Sequence, residues 1–131
     1  MTEQSLQPMS TETPIELCAA ADLSEGGLAV PFDVVYDGEP CRAFAIRFEG
    51  RVHAYLNRCT HVAMELDWQP NRFFDDTGQW LLCASHGAVY APDTGAGVAG
   101  PCQGGLVKIE LIEADGTVRW QPTERLQPVV F

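Results

Sequence analysis

Basic residues are scarce in this chain: eight lysines and arginines stand against 18 aspartates and glutamates, a formal net charge of −10. Surfaces that bind nucleic acid or an anionic membrane concentrate positive charge, so neither partner is expected. Long apolar runs are missing as well. None approaches the roughly 18 residues of a membrane-spanning helix, and residues 1–13 are polar, with Glu3 and Glu12 where an export signal would place an apolar segment. The cysteines number five, an odd count that argues against a disulfide framework when no export signal accompanies it. A cytoplasmic location is therefore expected. An acidic protein of this kind suits a basic patch on another protein. Histidines number only three, which caps any metal chemistry that depends on imidazole.

What is present reads as one globular domain. The 131 residues are 46% hydrophobic and 20% charged, enough to bury a core without a second domain. Residues 1–13 form a polar lead-in with no periodicity. Strands are expected at 14–20, 28–36, 41–48 and 52–56, with Asp37-Gly38-Glu39-Pro40 and Glu49-Gly50 as the turns between the last three. Residues 62–78 are irregular, with at most a short helix near 63–66. A strand at 79–83 and a short return at Val89 and Tyr90 follow. The stretch 91–105 holds five glycines and two prolines and reads as loop. Residues 106–112 alternate as one strand and turn at Asp115-Gly116 into 117–120. Residues 122–131 are set apart as a C-terminal tail. With no internal repeat and no helical periodicity, the class is all-β with many short strands.

The chemistry concentrates between Arg58 and Tyr90. Cys59-Thr60-His61 offers a thiolate and an imidazole at C-x-H spacing, and Cys83-Ala84-Ser85-His86 offers a second pair at C-x-x-H spacing. Residues 62–82 separate them. Two such pairs facing each other across a loop make a four-ligand metal site. Zinc also takes two cysteines and two histidines, but as C-x-x-C-like and H-x-x-x-H-like pairs rather than interleaved ones. A two-iron, two-sulfide cluster with histidines replacing two cysteines on one iron fits the interleaving better. The bland alternative is that all four are ordinary core residues.

The two pairs, followed by Gly87, Tyr90 and Gly100-Pro101, resemble the Rieske family, over residues 14–121. The resemblance implies an antiparallel β-sandwich base domain, residues 14–121, with an inserted cluster-binding subdomain at about 58–104. It implies a Rieske-type [2Fe-2S] cluster as cofactor, with Cys59 and Cys83 on the buried iron and His61 and His86 on the outer one. It places Tyr90 as a donor to a ligand sulfur, against the plainer reading of a core aromatic, and Pro101 in the loop that covers the cluster. With two neutral imidazoles replacing two thiolates, the oxidised cluster loses two negative charges and accepts an electron more readily. Imidazoles facing solvent supply an exit for the electron and couple potential to pH.

Departures from the family pattern carry information. High-potential members have a second cysteine in each loop, forming a disulfide; the matching positions here are Met64 and Ser85. They also place a serine after His-Gly, where this chain has Ala88. Both differences point to a lower-potential, ferredoxin-like centre. Cys18 and Cys41 are expected as small buried hydrophobes, Cys102 as part of the covering loop, and His53 as a half-buried strand residue. Trp68, Phe73 and Phe74, in the long loop from Asp67 to Gly78, either cap the subdomain or dock a partner.

The function implied is a one-electron carrier. It would take electrons from an NAD(P)H-dependent flavoprotein reductase and pass them to a terminal oxygenase or reductase. A fixed small subunit resembling that of nitrite reductases and a redox or iron sensor are the alternatives. An oxygenase in its own right is excluded by count: its iron needs two histidines and a carboxylate, and only His53 remains outside the two pairs. No catalytic centre is expected in this chain.

Overall fold

The computed structural model describes residues 13–58, 71–83, 87–99 and 105–129. Its architecture follows from three turns of the same kind. Asp37-Gly38, Glu49-Gly50 and Asp115-Gly116 all have positive φ at both residues (50° and 82°, 52° and 78°, 54° and 75°). That is the two-residue hairpin turn whose twist matches the flanking strands, and glycine relieves the strain at its second position. The first two turns join β2 (Val30–Tyr36), β3 (Glu39–Phe48) and β4 (Arg51–Leu56) into a meander. The third joins β9 (Leu111–Ala114) to β10 (Thr117–Trp120).

These hairpins are completed by distant segments. β10 lies between β9 and β1 (Ile15–Ala19) in a three-stranded antiparallel sheet. The meander becomes five-stranded, in the order β11-β2-β3-β4-β8, by adding β8 (Lys108–Ile109) beside β4 and β11 (Leu126–Pro128) beside β2. The single strand expected over 106–112 is thus two strands in different sheets, with Glu110 at the crossing. Chains that change sheet at a sandwich corner bend in this way. β11 comes from the segment read as a tail. Arg125 fastens it by a two-pronged ion pair to Asp37 at 2.6 and 2.8 Å, and Pro128 sits on an edge strand, where a missing N–H costs no ladder bond.

Between the two sheets lies one core of Leu23, Val34, Ala43, Ala45, Ala54, Leu56, Ile109, Val118, Trp120 and Leu126. The opposite face of β3 and β4 is buried too. There Phe44, Ile46, Phe48 and Tyr55 pack against Phe73, Phe74, Leu81, Cys83, Ala88 and Tyr90. β3 therefore turns Ala43 and Ala45 toward the sandwich and Phe44, Ile46 and Phe48 toward a second core. Over that second core lies a small sheet of β5 (Leu81–Leu82), β6 (Val89–Tyr90) and β7 (Gly97–Ala99). β7 falls inside the stretch read as loop, and the helix expected near 63–66 lies outside the described residues. Among the described residues the single helical element is one 3-10 turn, Ala20–Asp22, and no helix is long and apolar enough to cross a membrane.

Candidate metal centre

Cys83 directly follows β5 and is 1% exposed. Its N–H donates to the Ala88 carbonyl at 2.8 Å, and its own carbonyl accepts from the Gly87 N–H at 3.0 Å. The two bonds tie Cys83 to the returning strand, and Gly87 has φ +74°, a left-handed conformation that glycine adopts without strain. An added Cβ at Gly87 would meet nothing within 4 Å, so the backbone angle rather than crowding calls for glycine. His86, like Cys59, His61 and Pro101, lies outside the described residues. Among the described residues no three His, Cys, Asp or Glu side chains converge as metal ligands.

The chain approaches the first Cys/His pair of the sequence from a fixed point. The Asn57 N–H donates to the Arg42 carbonyl at 2.8 Å, and the Arg58 guanidinium lies 3.2 Å from the Cys41 sulfur. The chain re-enters at Asn71, whose carbonyl accepts from the Ala29 N–H at 2.8 Å. Phe73 and Phe74 follow, 1% and 4% exposed. Phe73 stacks on Phe44 with ring centroids 3.8 Å apart, and Phe74 stacks on Phe48. The Phe73 carbonyl accepts from Leu82, and Phe74 bridges Leu81. These two phenylalanines join the cysteine-bearing sheet to the base and are too deep to dock a partner. Trp68 lies outside the described residues.

Cys83 sits in apolar company. Ala88 and Tyr90, both fully buried, belong to the same cluster. Leu81 pairs with Tyr90, which puts Tyr90, Ala88 and Cys83 on one face of the hairpin. No charged side chain is buried among the described residues. A thiolate at this depth needs a cation to offset its desolvation, and a bound metal supplies one. The donor chemistry suits a thiolate-bound metal rather than a catalytic cysteine.

The turn at residues 91–96 lies in the stretch read as loop, and its contact with the base was not legible in the sequence. Tyr55 donates to the Pro92 carbonyl at 2.7 Å, and burial pushes the phenol well above its ordinary range. A Cβ on Gly95 would stand 2.7 Å from the Tyr55 ring, and one on Gly105 would stand 2.8 Å from the Gly95 carbonyl. The Lys108 ammonium lies 5.3 Å above the Tyr55 ring, donates to the Asp93 carbonyl at 2.8 Å and sits 3.3 Å from His53 Nδ1. His53 is half-buried, as expected. Burial, then Lys108, hold its imidazole below the ordinary histidine range. The available signal was Tyr55 itself, a large aromatic on the strand face opposite Ala54 and Leu56.

Cys18 and Cys41 are half-buried rather than fully buried, and both are free thiols. They pack at the margin of the sandwich core. Burial pushes the Cys18 thiol up, and Asp22 adds to the effect. Cys102 lies outside the described residues.

Residues 13–110 match the Rieske [2Fe-2S] domain. No curated protein matches the chain in sequence. Among solved structures, the ferredoxin of carbazole 1,9a-dioxygenase from Nocardioides aromaticivorans IC177 superposes with a TM-score of 0.68 at 24% identity, over 86% of this chain and 100% of that one. The Sphingomonas yanoikuyae B1 ferredoxin gives 0.64 at 27% identity, over 83% and 98%. A complex of reduced oxygenase and oxidised ferredoxin in carbazole 1,9a-dioxygenase gives 0.64 at 23% identity, over 82% and 92%.

Proposed function

The chain belongs to the Rieske [2Fe-2S] domain family, and from that premise we propose that it carries single electrons from a flavoprotein reductase to a terminal oxygenase or reductase. Its cofactor is a Rieske-type [2Fe-2S] cluster, which supplies a one-electron acceptor when bound. Cys59 and Cys83 are the proposed thiolate ligands, and His61 and His86 the proposed imidazole ligands. The observation that supports this assignment is Cys83: a buried cysteine in apolar surroundings, three residues before His86 in sequence and bonded through its backbone to Gly87 and Ala88. Pro101 is proposed to cover the cluster and Tyr90 to hydrogen-bond a ligand sulfur.

The partner assignment rests on two supports. A structural neighbour is described as a ferredoxin complexed with its oxygenase. The net charge of −10 favours encounter with a basic docking face and makes the on-rate fall with salt. The chain's own residues then have limited tasks. They bind the cluster, keep one side of it dry with the Phe44–Tyr90 core, and leave Ala88 without a hydroxyl to stabilise added negative charge. A potential toward the lower, roughly −150 mV end of the Rieske range follows.

The test is pulsed EPR of the dithionite-reduced protein, with and without isotopically labelled histidine, beside a redox titration. Hyperfine coupling to two imidazole nitrogens is expected. Reduction by an NAD(P)H-dependent flavoprotein should follow, at a rate that drops with ionic strength. A colourless protein holding stoichiometric zinc would overturn the proposal.

A further inference from the structure

The sheet that carries Cys83 is fastened to the base at the turn between β6 and β7, and the fastening is polar where apolar packing alone would fill the space. Tyr55 lies on β4 and is fully buried, facing away from the sandwich core that Ala54 and Leu56 join. Its hydroxyl donates to the Pro92 carbonyl at 2.7 Å, and its ring occupies the space a side chain at Gly95 would take. From the neighbouring strand β8, Lys108 reaches the Asp93 carbonyl at 2.8 Å. Three points of one turn, at Pro92, Asp93 and Gly95, are thus held by two strands of the base.

The turn is stiff in itself. The Gly95 N–H donates to the Ala91 carbonyl at 2.8 Å, the Ala91 N–H to the Ala96 carbonyl at 2.9 Å, and the Leu106 N–H to the Gly95 carbonyl at 2.8 Å. Tyr90 immediately precedes it and pairs with Leu81 on β5, two residues before Cys83. A displacement at Pro92 therefore passes along β6 to the hairpin that closes on Cys83. Pro92 is buried, so its carbonyl has no ready substitute for the tyrosine hydroxyl, and a buried acceptor left unpaired is costly.

We propose that Tyr55 is a positioning residue for the iron–sulfur cluster: by holding the Pro92–Gly95 turn it sets where the β5–β6–β7 sheet, and Cys83 with it, lies against the base. This rests on Cys83 being a cluster ligand. Tyr55 touches no ligand directly and acts through the turn.

The experiment compares the wild-type holoprotein with Tyr55→Phe, Gly95→Ala and Val118→Ala. Val118 is buried in the sandwich core, so its truncation lowers global stability without touching the turn. Three readouts are taken: the rate of cluster release into a chelator, the midpoint potential with the EPR line shape, and amide exchange at Ala91, Gly95 and Leu106. Tyr55→Phe is expected to speed cluster release about fivefold or more, alter potential and line shape, and speed exchange at those three amides. Gly95→Ala, which presses on the ring with the hydroxyl intact, should move the same readouts and carries the test if Tyr55→Phe does not fold. Val118→Ala should leave potential and line shape unchanged. Wild-type potential and line shape in both turn variants, or changes no larger than those of Val118→Ala, would overturn the proposal. Failure of the ligand assignment looks different: Cys83→Ser would then keep a normal cluster whatever Tyr55 does.

Discussion

Replacing Phe73 with alanine separates a structural from a docking role for the loop before β5. The ring is 1% exposed and lies parallel to Phe44, 3.8 Å between centroids and 9° between planes. Removing a buried phenylalanine costs roughly 3–5 kcal/mol, of which transfer supplies about half and the unfilled cavity the rest. The Phe73 carbonyl stays bonded to Leu82 in the variant, because that bond uses only backbone. The segment is thus held in place and cannot collapse fully into the hole, so the cost should stay near 3 kcal/mol or above. For a domain of this size that lowers the midpoint by about 10 °C. Phe73→Leu, which leaves a smaller cavity, should lose roughly half as much. Unfolding should be followed by tryptophan fluorescence and by cluster absorbance together, since a bound cofactor can split the two transitions. The cluster signal should be lost first, because the missing ring sits between its sheet and the base. A loss under 1 kcal/mol by both probes would refute the reasoning and return Phe73 to the role of a surface side chain.

Arg47 donates to the carbonyls of Leu23, Ala20 and Gly50 and to the Glu113 carboxylate, so Arg47→Met should cost about 2–3 kcal/mol in urea titrations; a change within 0.5 kcal/mol (roughly the scatter of neutral surface substitutions) would contradict the clamp. His53, held below the ordinary value of 6.5 by burial and by Lys108, adds no proton-linked penalty to folding above that pH, because there neither state binds its proton. As pH falls below 6.5 the unfolded chain takes up the proton first, so stability drops, and His53→Asn should flatten this segment of a stability–pH profile. A wild-type slope in that variant would show that another group is responsible. Ala88→Ser places a hydroxyl in the buried face shared with Cys83 and should raise the midpoint potential by about 60 mV, the equivalent of one good hydrogen bond to the reduced centre; an unchanged or lower potential in voltammetry would place residue 88 away from the cluster.

How far the sequence was legible depended on whether the information was local. The three two-residue turns could be read because Asp-Gly or Glu-Gly between alternating strands encodes its own geometry. The all-β class, the half-buried His53 and the family followed from patterns equally close in sequence. What escaped was set by distant contacts. Tyr55 meets Pro92 across 37 residues, and nothing near either one announces it. Residues 106–112 alternate as one strand, yet Lys108–Ile109 pairs with β4 and Leu111–Ala114 with β10, a division that only the stacking of two sheets imposes. Phe73 and Phe74 looked like loop aromatics because the second buried face of β3 is not visible from an alternating pattern. The four proposed ligand positions stood out through the spacing of two Cys/His pairs together with Gly87, Tyr90 and Gly100-Pro101. Of these, Cys83 is the one among the described residues, and it is buried in the same cluster as Tyr90.

The order in which the five-stranded sheet is completed bears on how the protein is made. Its middle, residues 30–56, emerges early in synthesis, but the strands that seal its two borders come from residues 108–109 and 126–128. Until those arrive, both borders present unpaired N–H and C=O groups, the condition under which one nascent sheet recruits another. A ribosome that stalls before Lys108 would therefore release a sticky fragment rather than an inert one. Synthesis of residues 108–128 is the step that supplies a partner to each border.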